Sequence, residues 1–279
     1  MQRLAPCRST APHGCGPRQL DVAAARACED AGGRGGDRLI AHALKITPPF
    51  FEIGPKAYSY GRDLLRMAVR ADDLSAEWGV QVLLTPQYVD IPMVAREVQR
   101  VLVFAQHMDF LEPGRGVGSV LPEALKEAGA VGVLLNHSER PLVWEDLVRT
   151  MERAASVGLG TMVCANDSTQ AVDIARLSPD VIIVEDPELI ASTTSVGPHR
   201  ANVSDTDSAI WQFDPQIRVL HAAGIVGPND VYDVIAAGAQ GTGSSSALFA
   251  AEDPEAVLEA MIRTTREAWN ARTQGVAML

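Results

Sequence analysis

Lys56, His137 and Glu185 each stand just past a short, mainly apolar run, after Phe50–Ile53, Ala130–Leu135 and Val181–Val184 respectively. They are an ammonium, an imidazole and a carboxylate, groups that could hold an anion, polarise a bond and carry a proton. Each alone says little. A lone Lys after a strand is commonly solvated, a lone His commonly structural, and a lone Glu before a loop a helix or hinge partner. The second run is the most telling, because it ends abruptly in Asn136-His-Ser-Glu139. Four polar side chains there either cap the next helix or border a site. Three such groups at one end of one fold shift the reading to catalysis. Two late loops add a complementary feature. Ala222-Ala-Gly224 and Gly241-Thr-Gly-Ser-Ser-Ser-Ala247 offer backbone N–H groups and hydroxyls beside helix starts, with Ala223, Gly224, Gly243, Ser244, Ser245 and Ser246 as the candidate donors. Such loops hold phosphate, so a phosphorylated small molecule is the implied ligand.

The elements that must position these groups alternate regularly. Apolar runs at 50–53, 80–84, 101–105, 130–135, 161–165, 181–184 and 217–220 read as strands covered on both faces, and an eighth, polar strand end falls at 240–247. Helical spacing fills the intervals, as in residues 60–78, where Leu64, Leu65, Ala68, Val69 and Leu74 share a face. Other helices are expected at 91–98, from Pro122, at 143–157, 205–213 and 229–237, and at 253–269 with Asp253-Pro254 at its start. Eight strand-helix units in strict alternation predict an α/β fold, a closed (β/α)8 barrel. In a barrel, Lys56, His137 and Glu185 end strands one, four and six and meet at one mouth. A doubly wound open sheet shares the periodicity. It should carry a G-x-G-x-x-G turn after its first strand, and Ile53-Gly-Pro-Lys56 is not that turn.

Composition sets the boundaries. The chain has 279 residues, 47% hydrophobic and 5% aromatic, which suits a helix-and-strand enzyme better than a β-sandwich. The formal charge of −11 argues against a nucleic-acid partner, and no run of eighteen apolar residues marks a membrane span. Residues 1–46 carry seven Lys/Arg and four Asp/Glu, leaving seventeen against thirty-one, a net −14, for residues 47–279. The basic end also holds Cys7, Cys15 and Cys28 and the run Gly32-Gly-Arg-Gly-Gly-Asp37. Its cysteines have no C-x₂-C pair, and three of them fit no disulfide framework. Residues 1–46 are therefore expected to be a disordered or artefactual leader, and residues 47–279 the barrel domain. With Cys164 alone in the body, the cytoplasm is the expected compartment.

From Phe51 to the last helix the chain resembles triosephosphate isomerase, particularly its short archaeal form. The resemblance rests on Pro55-Lys-Ala-Tyr58, Phe104-Ala-Gln-His107, Val120-Leu-Pro-Glu123, Glu127–Gly132, Leu134-Leu-Asn-His-Ser-Glu139, Thr161-Met-Val-Cys164, Val184–Ile190, Ala223-Gly-Ile225 and the glycine-serine stretch at 241–247, in that order. It implies a single TIM barrel that interconverts a short aldose phosphate and its ketose through an enediolate, with no metal and no cofactor. Glu185 is then the base, His137 the neutral electrophile and Lys56 the cation, with Asn136 and Glu139 supporting them. Assembly as a homodimer or homotetramer through barrel loops is implied too, with residues 106–109 and 114–116 as candidate contacts. Three departures stand out. Gly54 occupies the place of the family's Asn, two residues before Lys56, and so should free volume there. The lid reads Ala191-Ser-Thr-Thr-Ser195, so Ser192 and Thr193 would grip phosphate where the family uses glycines, and His221 replaces a smaller residue. These departures raise two alternatives to a triose phosphate isomerase: a tetrulose phosphate isomerase, and a barrel that binds sugar phosphates without catalysis.

Overall fold

In the computed structural model, which describes residues 44–185, 203–222 and 224–276, each apolar run becomes a short parallel strand followed by a helix. The order is β1 (Phe50–Ile53), α1 (Gly61–Trp78), β2 (Gln81–Leu84), α2 (Ile91–Glu97), β3 (Leu102–Ala105), α3 (Pro122–Glu127), β4 (Gly132–Leu135) and α4 (Trp144–Val157). The second half follows as β5 (Gly160–Ala165), α5 (Ser168–Ala175), β6 (Val181–Val184), α6 (Val203–Trp211), β7 (Arg218–His221), α7 (Pro228–Ala236), β8 (Gly241–Ser244), a single turn α8 (Ser246–Phe249) and α9 (Pro254–Val276). Each strand pairs with the next, and β1 closes on β8, with Glu52 opposite Gly243. Closure excludes the open sheet: the fold is a (β/α)8 barrel. Of the expected leader, 1–46, all but the last three residues lie outside the described residues. Among the described helices, none is long and apolar enough to cross a membrane.

Alternation along the strands makes two apolar layers. Phe51, Ile53, Val82, Leu84, Val133, Leu135 and Val163 point outward, against Leu64, Ala68 and Leu74 of α1 and Leu147 and Met151 of α4. Phe50, Leu83, Phe104, Leu134, Met162, Cys164, Ile183 and Leu220 fill the barrel itself. The interior holds two phenylalanines because glycines face them. A Cβ on Gly132 would stand 2.4 Å from the Phe104 ring, and one on Gly241 2.5 Å from that of Phe50. Each ring is fully buried and contributes roughly 1.5–3 kcal/mol of transfer free energy. The bottom of the barrel is sealed by Leu44 and Ile46, which pack against the same interior cluster. Leu44 N donates to Asp180 Oδ1 at 3.0 Å, and Arg218 Nε donates to the Ile46 carbonyl at 2.9 Å.

The element ends differ from the periodicity where tertiary contacts decide. Helix α6 is already formed at Val203, two residues before the expected 205, and Val203 is buried. Strand β7 runs one residue further, to His221, because Thr242 Oγ1 donates to its carbonyl at 2.8 Å. Helix α9 extends seven residues past the expected 269. There Arg272 donates to the Ile235 and Ala239 carbonyls at 2.7 and 3.1 Å and stacks its guanidinium 4.4 Å from the Trp269 ring centroid.

Candidate active site

The carboxyl ends of the strands open on a cavity of about 360 Å³ lined by Lys56, His137, Glu139, Glu185, Gly224 and Ser244–Ser246, among others. That volume falls in the range of small-ligand sites. Each reactive side chain is aimed by a particular local device. Lys56 adopts a left-handed backbone, φ 45°, a conformation costly for a side-chain-bearing residue. Two amides hold it there: Gln87 Nε2 and Gln106 Nε2 donate to its carbonyl at 2.7 and 3.0 Å. The freed ammonium crosses the mouth to Glu139 Oε1 at 2.7 Å. That bond holds the Glu139 carboxyl below the usual carboxylate range.

Asn136, also left-handed at φ 58°, is a residue type that tolerates this region. Its buried amide donates to the Cys164 carbonyl at 2.9 Å and accepts from Leu142 N at 3.0 Å, tying the end of β4 to β5 and to its own loop. The chain therefore turns sharply at His137. The Glu139 N–H donates to His137 Nδ1 at 3.0 Å, so the proton of a neutral ring sits on Nε2. Burial above all, and the Lys56 charge next, lower the imidazole below its usual value and keep it neutral. Nε2 stands 3.8 Å from Glu185 Oε2. Glu185 is fixed by its own N–H donating to the Ala165 carbonyl at 2.9 Å. Burial raises its carboxyl to about 7, Lys56 opposing and Glu139 adding to the shift.

On the glycine-serine side, Gly224 takes a positive φ of 70°. Ser245 Oγ donates to the Gly54 carbonyl at 2.6 Å, which leaves its N–H rather than its hydroxyl for a ligand. Ser244 Oγ is buried and has no partner among the described residues. Ser192, Thr193 and Ala223 lie outside the described residues. His221 turns away from the cavity: its Nε2 meets Asp207 Oδ1 of α6 at 2.8 Å. Cys164 is a buried thiol that burial pushes well above its usual range.

One reading of the sequence needs revision, and one residue has to be added. Gly54 does not free volume beside Lys56, because the carboxyl of Glu52 fills it: a Cβ at position 54 would lie 3.3 Å from Glu52 Oε1. Glu52 itself, which lines the cavity with Glu139 and Glu185, is not among the site residues expected from the sequence. The signal was present. An acidic residue in Phe-Phe-Glu-Ile, four before Lys56 and two before Gly54, has to share the inward face with position 54.

The fold and the mouth define a class: a (β/α)8 barrel presenting a carboxylate, a neutral imidazole and an ammonium to one small cavity. Residues 56–263 match the family model described as triosephosphate isomerase. Among similar proteins, one named triosephosphate isomerase from Methanobacterium bryantii is 39% identical over 201 residues, 72% of this chain and 88% of that protein. Others of that name, from Methanopyrus kandleri and Methanothermus fervidus, are 40% and 35% identical over 217 residues, 77% of this chain and 96% and 97% of theirs. The chain belongs to the triosephosphate isomerase family.

Proposed function

We propose that this chain interconverts glyceraldehyde 3-phosphate and dihydroxyacetone phosphate, a step shared by glycolysis and gluconeogenesis, by proton transfer through an enediolate. The observation that carries the reading is the pair His137 and Glu185, Nε2 to Oε2 3.8 Å, facing one another beside Lys56 in a family whose relatives bear the isomerase name. Glu185, ionised, removes the proton from the carbon beside the carbonyl and returns it to the former carbonyl carbon. His137 Nε2–H donates to the carbonyl oxygen as it gains charge and moves protons between the two substrate oxygens. Lys56 sets a positive charge against the enediolate and the phosphate dianion, while Asn136 and Glu139 hold His137 and Lys56 in place. Gly224, Gly243 and Ser244–Ser246 bind the phosphate, joined by Ala223 and by Ser192 and Thr193 from the lid.

A larger, four-carbon substrate loses its main support now that Glu52 fills the space beside Gly54. Parallel assays with dihydroxyacetone phosphate and L-erythrulose 1-phosphate decide the matter. We expect kcat/KM to favour the triose at least tenfold, and a preference for the tetrose would overturn the assignment.

We take residues 47–279 as the barrel domain and residues 1–46 as a leader, of which Leu44 and Ile46 nevertheless pack into the barrel's bottom, and the cytoplasm as the working compartment. The enzyme works as a homodimer or homotetramer. Support comes from Tyr58, Tyr60, Val89, Phe110 and Val117, large apolar side chains left exposed on the loops after β1, β2 and β3. Light scattering after size-exclusion chromatography should give twice or four times the mass of the chain.

A further inference from the structure

Glu52 sits in the middle of β1, where its neighbours are Phe50, Phe51 and Ile53, all fully buried. Positions 50, 52 and 54 face the barrel interior, so this carboxyl cannot turn to solvent; the residue is 8% exposed. Room for it comes from two glycines. A Cβ on Gly54 would stand 3.3 and 3.4 Å from its two oxygens, and one on Gly243, its register partner on β8, would stand 3.0 Å from Oε2. Thr85 Oγ1 donates to Oε1 at 3.0 Å. No hydrogen-bond partner meets Oε2 among the described residues, although Glu52 borders the cavity shared by Lys56, His137, Glu185 and Ser244. The nearby cation is already engaged, Lys56 with Glu139 at 2.7 Å.

A buried carboxyl without a cation is expensive as a charge and unnecessary as packing, since an apolar residue would fill the same volume at lower cost. Its surroundings dictate its state. Burial first, and the charge of Glu185 second, raise Glu52 from 4.5 to about 8, against smaller opposing effects of Thr85 and Lys56. Around neutrality it is therefore a neutral acid. The Thr85 hydroxyl also lies 3.3 Å from the Ile53 carbonyl, but its shorter contact, 3.0 Å, is with Oε1; with Oε1 accepting from Thr85, the acid proton is placed on Oε2, the oxygen without a protein partner among the described residues.

Resting on the isomerase reading above, we propose that Glu52 is a further catalytic residue: its Oε2–H donates a hydrogen bond to an oxygen of the substrate's carbonyl-hydroxyl pair while Glu185 moves the carbon-bound proton. The two acids then divide one negative charge between them. Glu185 carries it as the base, and Glu52 stays neutral as the donor. When Glu185 takes the substrate's proton, the charge passes to the enediolate, and a neutral donor beside it is worth more than before.

The pH dependence follows. Besides Glu185 and Glu52, the cavity is bordered by Lys56, Tyr88, His137, Glu139 and Arg140, with Cys164 in the barrel interior beneath it. The register partners of Glu52, Leu83 on β2 and Gly243 on β8, do not titrate. His137 is lowered, Tyr88 and Cys164 are raised and Glu139 is lowered, so none of these changes charge near pH 8. A loss of activity there would report the ionisation of Glu52.

The test is the pH profile of kcat/KM on dihydroxyacetone phosphate for wild type, Glu52→Gln and Glu52→Leu, with circular dichroism to check folding. We expect Glu52→Gln, which keeps a donor, to stay within about tenfold of wild type and to lose the alkaline fall near pH 8. Glu52→Leu should drop kcat by roughly 10²–10³-fold, the usual cost of removing an oxyanion donor. Leu within threefold of wild type, with the alkaline fall intact, would overturn the proposal and leave the isomerase assignment standing. If Glu52→Leu does not fold, Glu52→Gln decides alone: an unchanged alkaline fall overturns the proposal. A wild type inactive on the triose would sink both the isomerase reading and this one.

Discussion

A carboxyl group costs little to bury while neutral and much once charged, and this active site places two of them in one apolar barrel. Glu185, raised to about 7, must be ionised to accept a proton. Activity should therefore rise as pH climbs through about 7, and a kcat/KM profile flat from pH 5 to 7 would contradict its role as base. The same shifts bear on stability. Below pH 4.5 Glu52 is neutral whether folded or unfolded; between 4.5 and about 8 the unfolded chain ionises it and the folded chain does not, so stability falls as pH rises. Glu52→Gln should accordingly raise Tm by several degrees at pH 8, roughly what one or two kcal/mol gives a domain of this size. The gain should vanish near pH 4. Calorimetry at the two pH values checks it, and an equal effect at both would show that Glu52 is ordinarily solvated. Sequence alone made His137, Lys56 and Glu185 legible because they follow strands. Glu52 carried a local signal, an acid on the inward face of β1, but its surroundings were not legible, because Gly243 comes from β8 and Glu185 from the end of β6.

At the scale of elements, the site depends on strand ends that hold uncommon backbone. Lys56 and Asn136 both lie in the left-handed region; the amides of Gln87 and Gln106, from the loops after β2 and β3, hold the first, and the amide of Asn136 itself reaches the Cys164 carbonyl on β5. The strands themselves are set by size matching inside the barrel. Gly241→Ala should press a methyl group into the Phe50 ring, since the Cβ would fall 2.5 Å away, and cost about 1–3 kcal/mol in chemical denaturation. Adding Phe50→Leu should recover part of the loss. A neutral Gly241→Ala would show that β8 does not need the close approach. Strand and helix identities were readable from periodicity almost throughout, because most of these doubly covered parallel strands are nearly continuous in apolar residues, β8 being the exception. The ends of α6, β7 and α9 were not, because Val203 burial, the Thr242 hydroxyl and the Arg272 guanidinium act from elsewhere in the chain.

For the whole molecule, closure of β1 on β8 is what turns separate strand ends into one mouth. Alternation of eight units pointed to it, yet closure itself is a pairing between the first and last strands that no local pattern records. The barrel brings a carboxylate, an imidazole and an ammonium from the ends of strands six, four and one to a single small cavity, and the family membership gives that cavity a reaction. The most direct test of this account is deuterium uptake. Incubated with dihydroxyacetone phosphate in heavy water, the wild-type chain should form glyceraldehyde 3-phosphate with solvent deuterium at the carbon that was the carbonyl, and Glu185→Gln should lower the rate at least 10²-fold, the scale of a lost general base. Glyceraldehyde 3-phosphate formed at an undiminished rate by Glu185→Gln, or no exchange by the wild type, would contradict it.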